Sequence, residues 1–162
     1  MPDTTIRKAE RMIKHRADSY TESVHIVFSE YLNGISRAYG GALAAWMDEV
    51  GVIVGRRHTN MNVTTAQISQ LSFLAPAFPD DVVVTAGYVT YTGRTSLEIA
   101  VRTYIERLDG QRDLIAQAYM TFVALGEDGR PAPCPQLEPV TDEEKADWEA
   151  ALRRRELAKA AK

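Results

Sequence analysis

Between residues 42 and 57 apolar side chains return at helical spacing: Leu43, Met47, Val50 and Val54 fall four, three and four positions apart, with Ala44, Ala45 and Trp46 around them. So much of the circumference is apolar that the segment is expected to lie inside the wrap of a sheet. Asp48 and Glu49 are the acidic pair in its middle, and carboxylates in such a helix need a reason. Downstream the period drops to two and β-branched residues dominate, so residues 63–74, 82–92, 95–107 and 114–125 read as four long strands. Upstream, Val24, Ile26 and Phe28 alternate as a first strand. The stretch Leu32-Asn33-Gly34-Ile35-Ser36 then has loop composition and runs to Gly40-Gly41.

The connections set the pairing. Gly93-Arg94 and Leu108-Asp109-Gly110-Gln111 are hairpin-length turns, and residues 76–81 form a slightly longer link. Parallel crossovers need a dozen residues or more, so the four strands are expected to pair antiparallel. Strand, long helix, then four strands gives an α+β layout in which a curved antiparallel sheet wraps one long central helix. Residues 1–20 read as an N-terminal arm or frayed helix. Residues 130–162 read as a proline-stiffened connector and an extra C-terminal helix, opened by Thr141 as N-cap with Asp142, Glu143 and Glu144 behind it. Residues 1–162 are expected to form a single domain.

Composition narrows the classes. With 162 residues, 45% hydrophobic and 25% charged, the chain suits one globular domain and not a disordered one. A net charge of -3 argues against a general nucleic-acid binder. Cys134 is the only cysteine, so an intramolecular disulfide and a CxxC site are both excluded, and a reducing compartment fits. Residues 1–16 carry no apolar leader and no later stretch reaches the roughly 20 apolar residues of a membrane span, so the protein is expected to be soluble and cytoplasmic, without membrane insertion. His15, His25 and His58 show no metal-ligand spacing, and no metal is expected. A GxSxG elbow, a GxGxxG turn and a P-loop are all missing.

The run Gly40-Gly41-Ala42-Leu43-Ala44-Ala45-Trp46-Met47-Asp48-Glu49-Val50, followed by Arg57-His58, resembles the helix signature of the cytosolic acyl-CoA hydrolase group of hot-dog thioesterases. Val63-Thr64-Thr65-Ala66, Val89-Thr90-Tyr91-Thr92-Gly93-Arg94-Thr95-Ser96, Thr121-Phe122-Val123-Ala124-Leu125 and Pro133-Cys134-Pro135-Gln136-Leu137-Glu138-Pro139 fall in the same order as in that group. The likeness spans residues 22–155 and implies a hot-dog fold hydrolysing acyl-CoA to a carboxylic acid and CoA, with CoA as part of substrate and product and no further cofactor. It also implies a homo-oligomer with a dimer as minimal unit, commonly a trimer of dimers. Relatives often carry Gly at Ser36, an acidic residue or Asn at Arg37, His or Phe at Tyr39, and Gly at Asp80. Arg37 is expected to shorten or re-aim the acyl pocket.

Thioester hydrolysis needs an activated water or carboxylate nucleophile, and donors for the oxygen that becomes negative. Helix N-terminal N–H groups lack intrahelical partners, so Gly40 and Gly41 suit the second task, Gly41 being the first choice of donor. A lone glycine pair is otherwise only a tight turn. Asp48, seven residues beyond Gly41, lies about 10.5 Å further along by helical rise, which favours a composite site. By resemblance Asp48 is the base or nucleophile and Asn33 its partner from the adjoining subunit. Taken singly, a mid-helix Asp is more often solvated, and an Asn before Gly more often a turn residue.

By the same resemblance Gly93, Arg94, Thr95 and Ser96 contact the CoA nucleotide, and Arg57 is a further candidate for its phosphates, although a cation at a helix C-terminus is favourable without any ligand. Two rivals stand beside the hydrolase. A hot-dog dehydratase acting on hydroxyacyl thioesters is expected to show a His with an Asp or Glu across helix and loop, and a non-catalytic acyl-CoA sensor is expected to bind without turnover.

Overall fold

A computed structural model of the chain describes residues 12–162. The elements are β1 (Ile13–Lys14), α1 (Arg16–Ser19), β2 (Thr21–Ile26), a 3₁₀ turn (Ser29–Tyr31), α2 (Gly40–Thr59), β3 (Asn62–Phe73), β4 (Val82–Thr92), β5 (Ser96–Glu106), β6 (Arg112–Leu125), β7 (Gln136–Leu137) and α3 (Asp142–Ala160). The five long strands form one sheet ordered β2-β4-β5-β6-β3, every neighbouring pair antiparallel, and α2 packs against all five. The α+β layout with a wrapped central helix is as the sequence pattern requires.

The core lies between α2 and the concave face of the sheet. Met47, Val50 and Val54 meet Val89, Ile99, Val101, Met120 and Phe122, while Leu43 and Trp46 form a second cluster with Val27, Val83 and Ile115. Strand alternation explains the selection, since side chains two apart share a face. Contact between helix and sheet is close: a Cβ on Gly51 would sit 2.6 Å from Phe122 Cζ, so only glycine lets the two elements approach this far. The helix stops where Asn60 takes a left-handed conformation, φ 56°, and its N–H returns to Arg56 O.

On the convex face α3 starts with a reciprocal cap, Thr141 Oγ1 accepting from Glu144 N and Glu144 Oε2 accepting from Thr141 N. Farther along, Arg154 Nη2 donates to Glu98 Oε1 at 2.7 Å and its guanidinium lies 3.6 Å from the Tyr119 ring centre, which fixes α3 over β5 and β6. Of the N-terminal arm, residues 12–20 are described. They form β1, which pairs in parallel with β7, and the short helix α1, whose Arg16 Nη2 donates to Asp147 of α3 at 2.7 Å. The rest of that expected arm lies outside the described residues.

His58, at the end of α2, is wholly buried, and its Nε2 donates to Pro135 O at 2.9 Å. Burial holds its imidazole below the ordinary histidine range, against the opposing pull of that hydrogen bond. Protonation would place a second N–H on Nδ1, a buried atom with no partner among the described residues. The side chain is a neutral rivet between α2 and the proline connector. No helix among the described residues is long and apolar enough to cross a membrane.

Candidate functional site

At the N-terminus of α2, Tyr39 is the N-cap and no side chain caps the first turn. Its carbonyl receives Ala42 N at 3.0 Å, and the N–H groups of Gly40 and Gly41 meet no acceptor among the described residues. A side chain would crowd its neighbours there: a Cβ on Gly40 would lie 3.1 Å from the Phe73 ring, and one on Gly41 3.1 Å from the Tyr39 ring. Two bare donors therefore face outward at the positive end of the dipole.

Beside them the preceding loop folds around Asn33. Its Oδ1 accepts from Ile35 N and from Arg37 N, each at 3.1 Å, and its own N–H donates to Arg37 O at 2.8 Å. These bonds fix the amide's orientation, with oxygen turned to the loop and the Nδ2 donor turned out. Ser36 closes the loop with φ 57°, left-handed backbone that explains why glycine suits this place. Asn33, Arg37, Gly40, Leu43 and Phe73 border one cavity of about 380 Å³.

Asp48 stands two turns along the helix and is half-buried. Its Oδ1 accepts a 2.7 Å hydrogen bond from Thr65 Oγ1 on β3, which leaves Oδ2 without a partner among the described residues. Thr65 belongs to the Val63-Thr64-Thr65-Ala66 motif, yet its bond to the helix carboxylate was not legible before the strand was seen to lie against the helix. Within one chain, then, Asp48 pairs with Thr65 while Asn33 and Gly40 border one cavity at the helix tip.

The turn between β4 and β5 is built around Gly93, whose N–H donates to Ser96 O at 2.8 Å and is thus spent inside the turn. Its missing side chain makes room for Arg155 of α3, since a Cβ there would lie 3.1 Å from Arg155 Nη1. Arg155 Nη1 in turn donates to Ser96 Oγ at 3.1 Å. Arg94 O accepts from Cys134 N and Thr95 O from Ala124 N, so the backbone of the turn is fixed by the connector and by β6. Ser96 and Arg155 line a groove of about 670 Å³ between α3 and the sheet, together with Arg154 and Lys159. Sequence reasoning did not foresee the contribution of Arg155, because nothing local shows that α3 returns to this hairpin. Arg57 lies elsewhere, with Nη1 donating to Thr21 Oγ1 at 3.0 Å, and it is not brought to Asp48 or to the hairpin.

A long helix wrapped by a five-stranded antiparallel sheet, with bare donors at its tip and a carboxylate inside its span, defines a hot-dog domain of the hydrolytic type. A sequence model described as the thioesterase superfamily matches residues 36–109. An acyl-CoA thioester hydrolase of Bacillus subtilis is 33% identical over 144 residues, covering 88% of this chain and 78% of that protein. The chain belongs to the acyl-CoA thioester hydrolases of the thioesterase superfamily. It spans only 36% of the cytosolic acyl coenzyme A thioester hydrolase of Rattus norvegicus, at 32% identity.

Among solved structures, an apo-hexameric acyl-CoA thioesterase has 35% identity and a TM-score of 0.88, covering 93% of this chain and 97% of that one. The acyl-CoA hydrolase of Staphylococcus aureus, solved with butyryl-CoA, CoA and CoA disulfide, has 32% identity and a TM-score of 0.87, with 92% of each chain covered. That enzyme has also been solved with alanine replacing an asparagine, an aspartate and a threonine, the aspartate 15 residues after the asparagine and the threonine 17 after the aspartate. Among the described residues no group of three or more His, Cys, Asp or Glu is placed to hold a metal ion.

Proposed function

We propose that the protein hydrolyses acyl-CoA to a carboxylic acid and CoA at sites shared between two chains, Asp48 and Thr65 coming from one and Asn33 and Gly41 from the other. The observation that carries this reading is the separation within one chain: the carboxylate and the bare donors of Gly41 are about 10.5 Å apart by helical rise, too far to act on one carbonyl. A second chain laid antiparallel along α2 closes that gap. Asn33, Asp48 and Thr65 also stand at the separations, 15 and 17, of the three replaced residues in the S. aureus enzyme.

In this mechanism the thioester oxygen points at Gly41 N–H, which stabilises the oxyanion. Asp48 Oδ2, left open by the Thr65 bond, either takes a proton from a water that Asn33 Nδ2 orients, or attacks the carbonyl carbon itself. Collapse of the tetrahedral intermediate breaks the C–S bond and expels CoA as the thiolate; in the nucleophilic route this leaves an acyl–Asp48 anhydride, which water then hydrolyses to the acid and free Asp48. The nucleotide end of CoA is assigned to the hairpin Gly93, Arg94, Thr95 and Ser96, backed by Arg155; Arg57, tied to Thr21, is left out of that assignment. CoA is consumed and released as substrate and product, and no other cofactor enters.

The whole chain, 1–162, acts as one hot-dog unit in the cytoplasm. β3 lies at the sheet edge, 12 residues long, and such an edge is a template for a second copy. A dimer is therefore the minimal unit. A trimer of dimers follows the hexameric relative.

The test is thiol release from acyl-CoAs of several chain lengths by the wild type and by Asp48→Asn. Turnover that depends on Asp48 is expected. Tight acyl-CoA binding with no thiol released would instead favour a sensor, and water addition or loss on a hydroxyacyl thioester would favour a dehydratase.

A further inference from the structure

We infer that Arg37 makes this enzyme prefer acyl groups that end in a carboxylate over plain acyl groups of the same length. The inference rests on the thioesterase reading and goes on to name the substrate class of that site. The cavity that Asn33 and Gly40 border is lined otherwise by apolar or small residues, Ile35, Leu43, Phe73 and Pro76 among them, and Arg37 is the one charged side chain in its wall.

Its position is set by the reacting groups. Arg37 N donates to Asn33 Oδ1 and Arg37 O accepts from Asn33 N, so the two residues move as one unit. The guanidinium stands 5.7 Å from the ring centre of Phe78, just beyond the Pro76 and Ala77 wall. The ring is within cation–π reach, and no acceptor among the described residues takes the guanidinium N–H donors, the edge that reads a carboxylate in bidentate fashion. Among the described residues Arg37 has no ion-pair partner, so a ligand carboxylate would meet a cation that is not already neutralised.

Two other roles fit less well. The phosphates of CoA are held away from the thioester by the whole pantetheine arm, so a cation in the wall beside Asn33 and Gly40 faces the acyl side or the thioester itself. As a mere plug Arg37 fits less well, because its side chain is exposed to solvent where a plug would be buried. A volume of about 380 Å³ is at the small end for ligand cavities, which suits a short chain whose far end reaches the guanidinium.

The experiment compares pentanoyl-CoA with glutaryl-CoA, which share five acyl carbons and differ in a terminal methyl against a carboxylate. The readout is the ratio of kcat/KM, glutaryl over pentanoyl, so a general loss in any variant divides out. For the wild type the expected ratio is about tenfold or more, the scale of a charge-assisted bond. Arg37→Met should lower it about tenfold, mainly through KM for glutaryl-CoA, and Arg37→Lys should keep part of it. Thermal unfolding of the oligomer checks that each variant is folded. A wild-type ratio of one or less, or a ratio unchanged in Arg37→Met, overturns the inference, even if the methionine variant accepts longer chains. Should the wild type release thiol from neither substrate but from acyl-CoAs of other lengths, this inference falls and the hydrolase reading stands; release from no acyl-CoA removes both.

Discussion

Thr65 Oγ1 donates a 2.7 Å hydrogen bond to Asp48 Oδ1 across 17 positions of sequence, joining the strand that borders the sheet to the carboxylate inside the central helix. This bond occupies Oδ1 of Asp48 and leaves Oδ2 without a partner among the described residues. A donor to one oxygen fixes the direction of the other.

Replacing the carboxylate should therefore stop the chemical step without harming assembly. Asp48→Asn is expected to lower kcat on the order of a thousandfold, the range for loss of a positioned base or nucleophile. Thr65→Val keeps the shape but not the donor, and about a tenfold loss in kcat is expected. Steady-state thiol release, with size-exclusion chromatography to confirm the oligomer, checks both.

The hairpin should affect affinity more than chemistry. Arg94→Glu reverses a charge at the end assigned to the CoA phosphates, and KM is expected to rise about tenfold with kcat little altered. The rise should shrink at high salt. An unchanged KM would remove the hairpin from CoA binding.

Stability should fall with acid through His58. The folded protein holds this ring neutral, below its ordinary value near 6.5, so under weakly acidic conditions the unfolded chain binds the extra proton and the folded one does not. Stability is thus fully present above about pH 6.5 and is lost as pH falls below it toward the depressed folded value. Urea midpoints at about pH 7.5 and 5.5 should differ for the wild type and differ less for His58→Gln.

The glycine that admits Phe122 should resist enlargement. A Cβ at Gly51 meets the ring at 2.6 Å, and overpacking of this kind costs roughly 1–3 kcal/mol, against about 1 kcal/mol gained from alanine's helix propensity. Gly51→Ala is expected to lose about 1 kcal/mol net, and Gly51→Val more, in urea unfolding.

Period and turn length made most of the fold legible. Residues 82–92 were bounded as strand to the residue, and the helix expected over 42–57 extends to Gly40–Thr59 because helix ends are set by caps, not by apolar spacing. Thr141 and Glu144 announced α3, though its end at Ala160 lies five residues past Arg155. The parallel pairing of Ile13–Lys14 with Gln136–Leu137 was not legible, since two-residue strands carry no period and their partners are far apart in sequence.

The site divided along the same line. Gly40, Gly41, Asn33 and Asp48 were named by motif, and the loop bonds to Asn33 Oδ1 are local. Thr65 and Arg155 act through long-range packing, of β3 on α2 and of α3 on the β4–β5 turn, which no local pattern encodes.

The shared site is tested most directly by mixing the two inactive variants. Asp48→Asn and Asn33→Ala chains, co-refolded in equal amounts, form half mixed dimers, each with one intact site of two. Thiol release is expected to recover to about one quarter of the wild-type rate. A mixture that stays at the level of the separate variants, with mixed dimers shown to form, would contradict a site built from two chains.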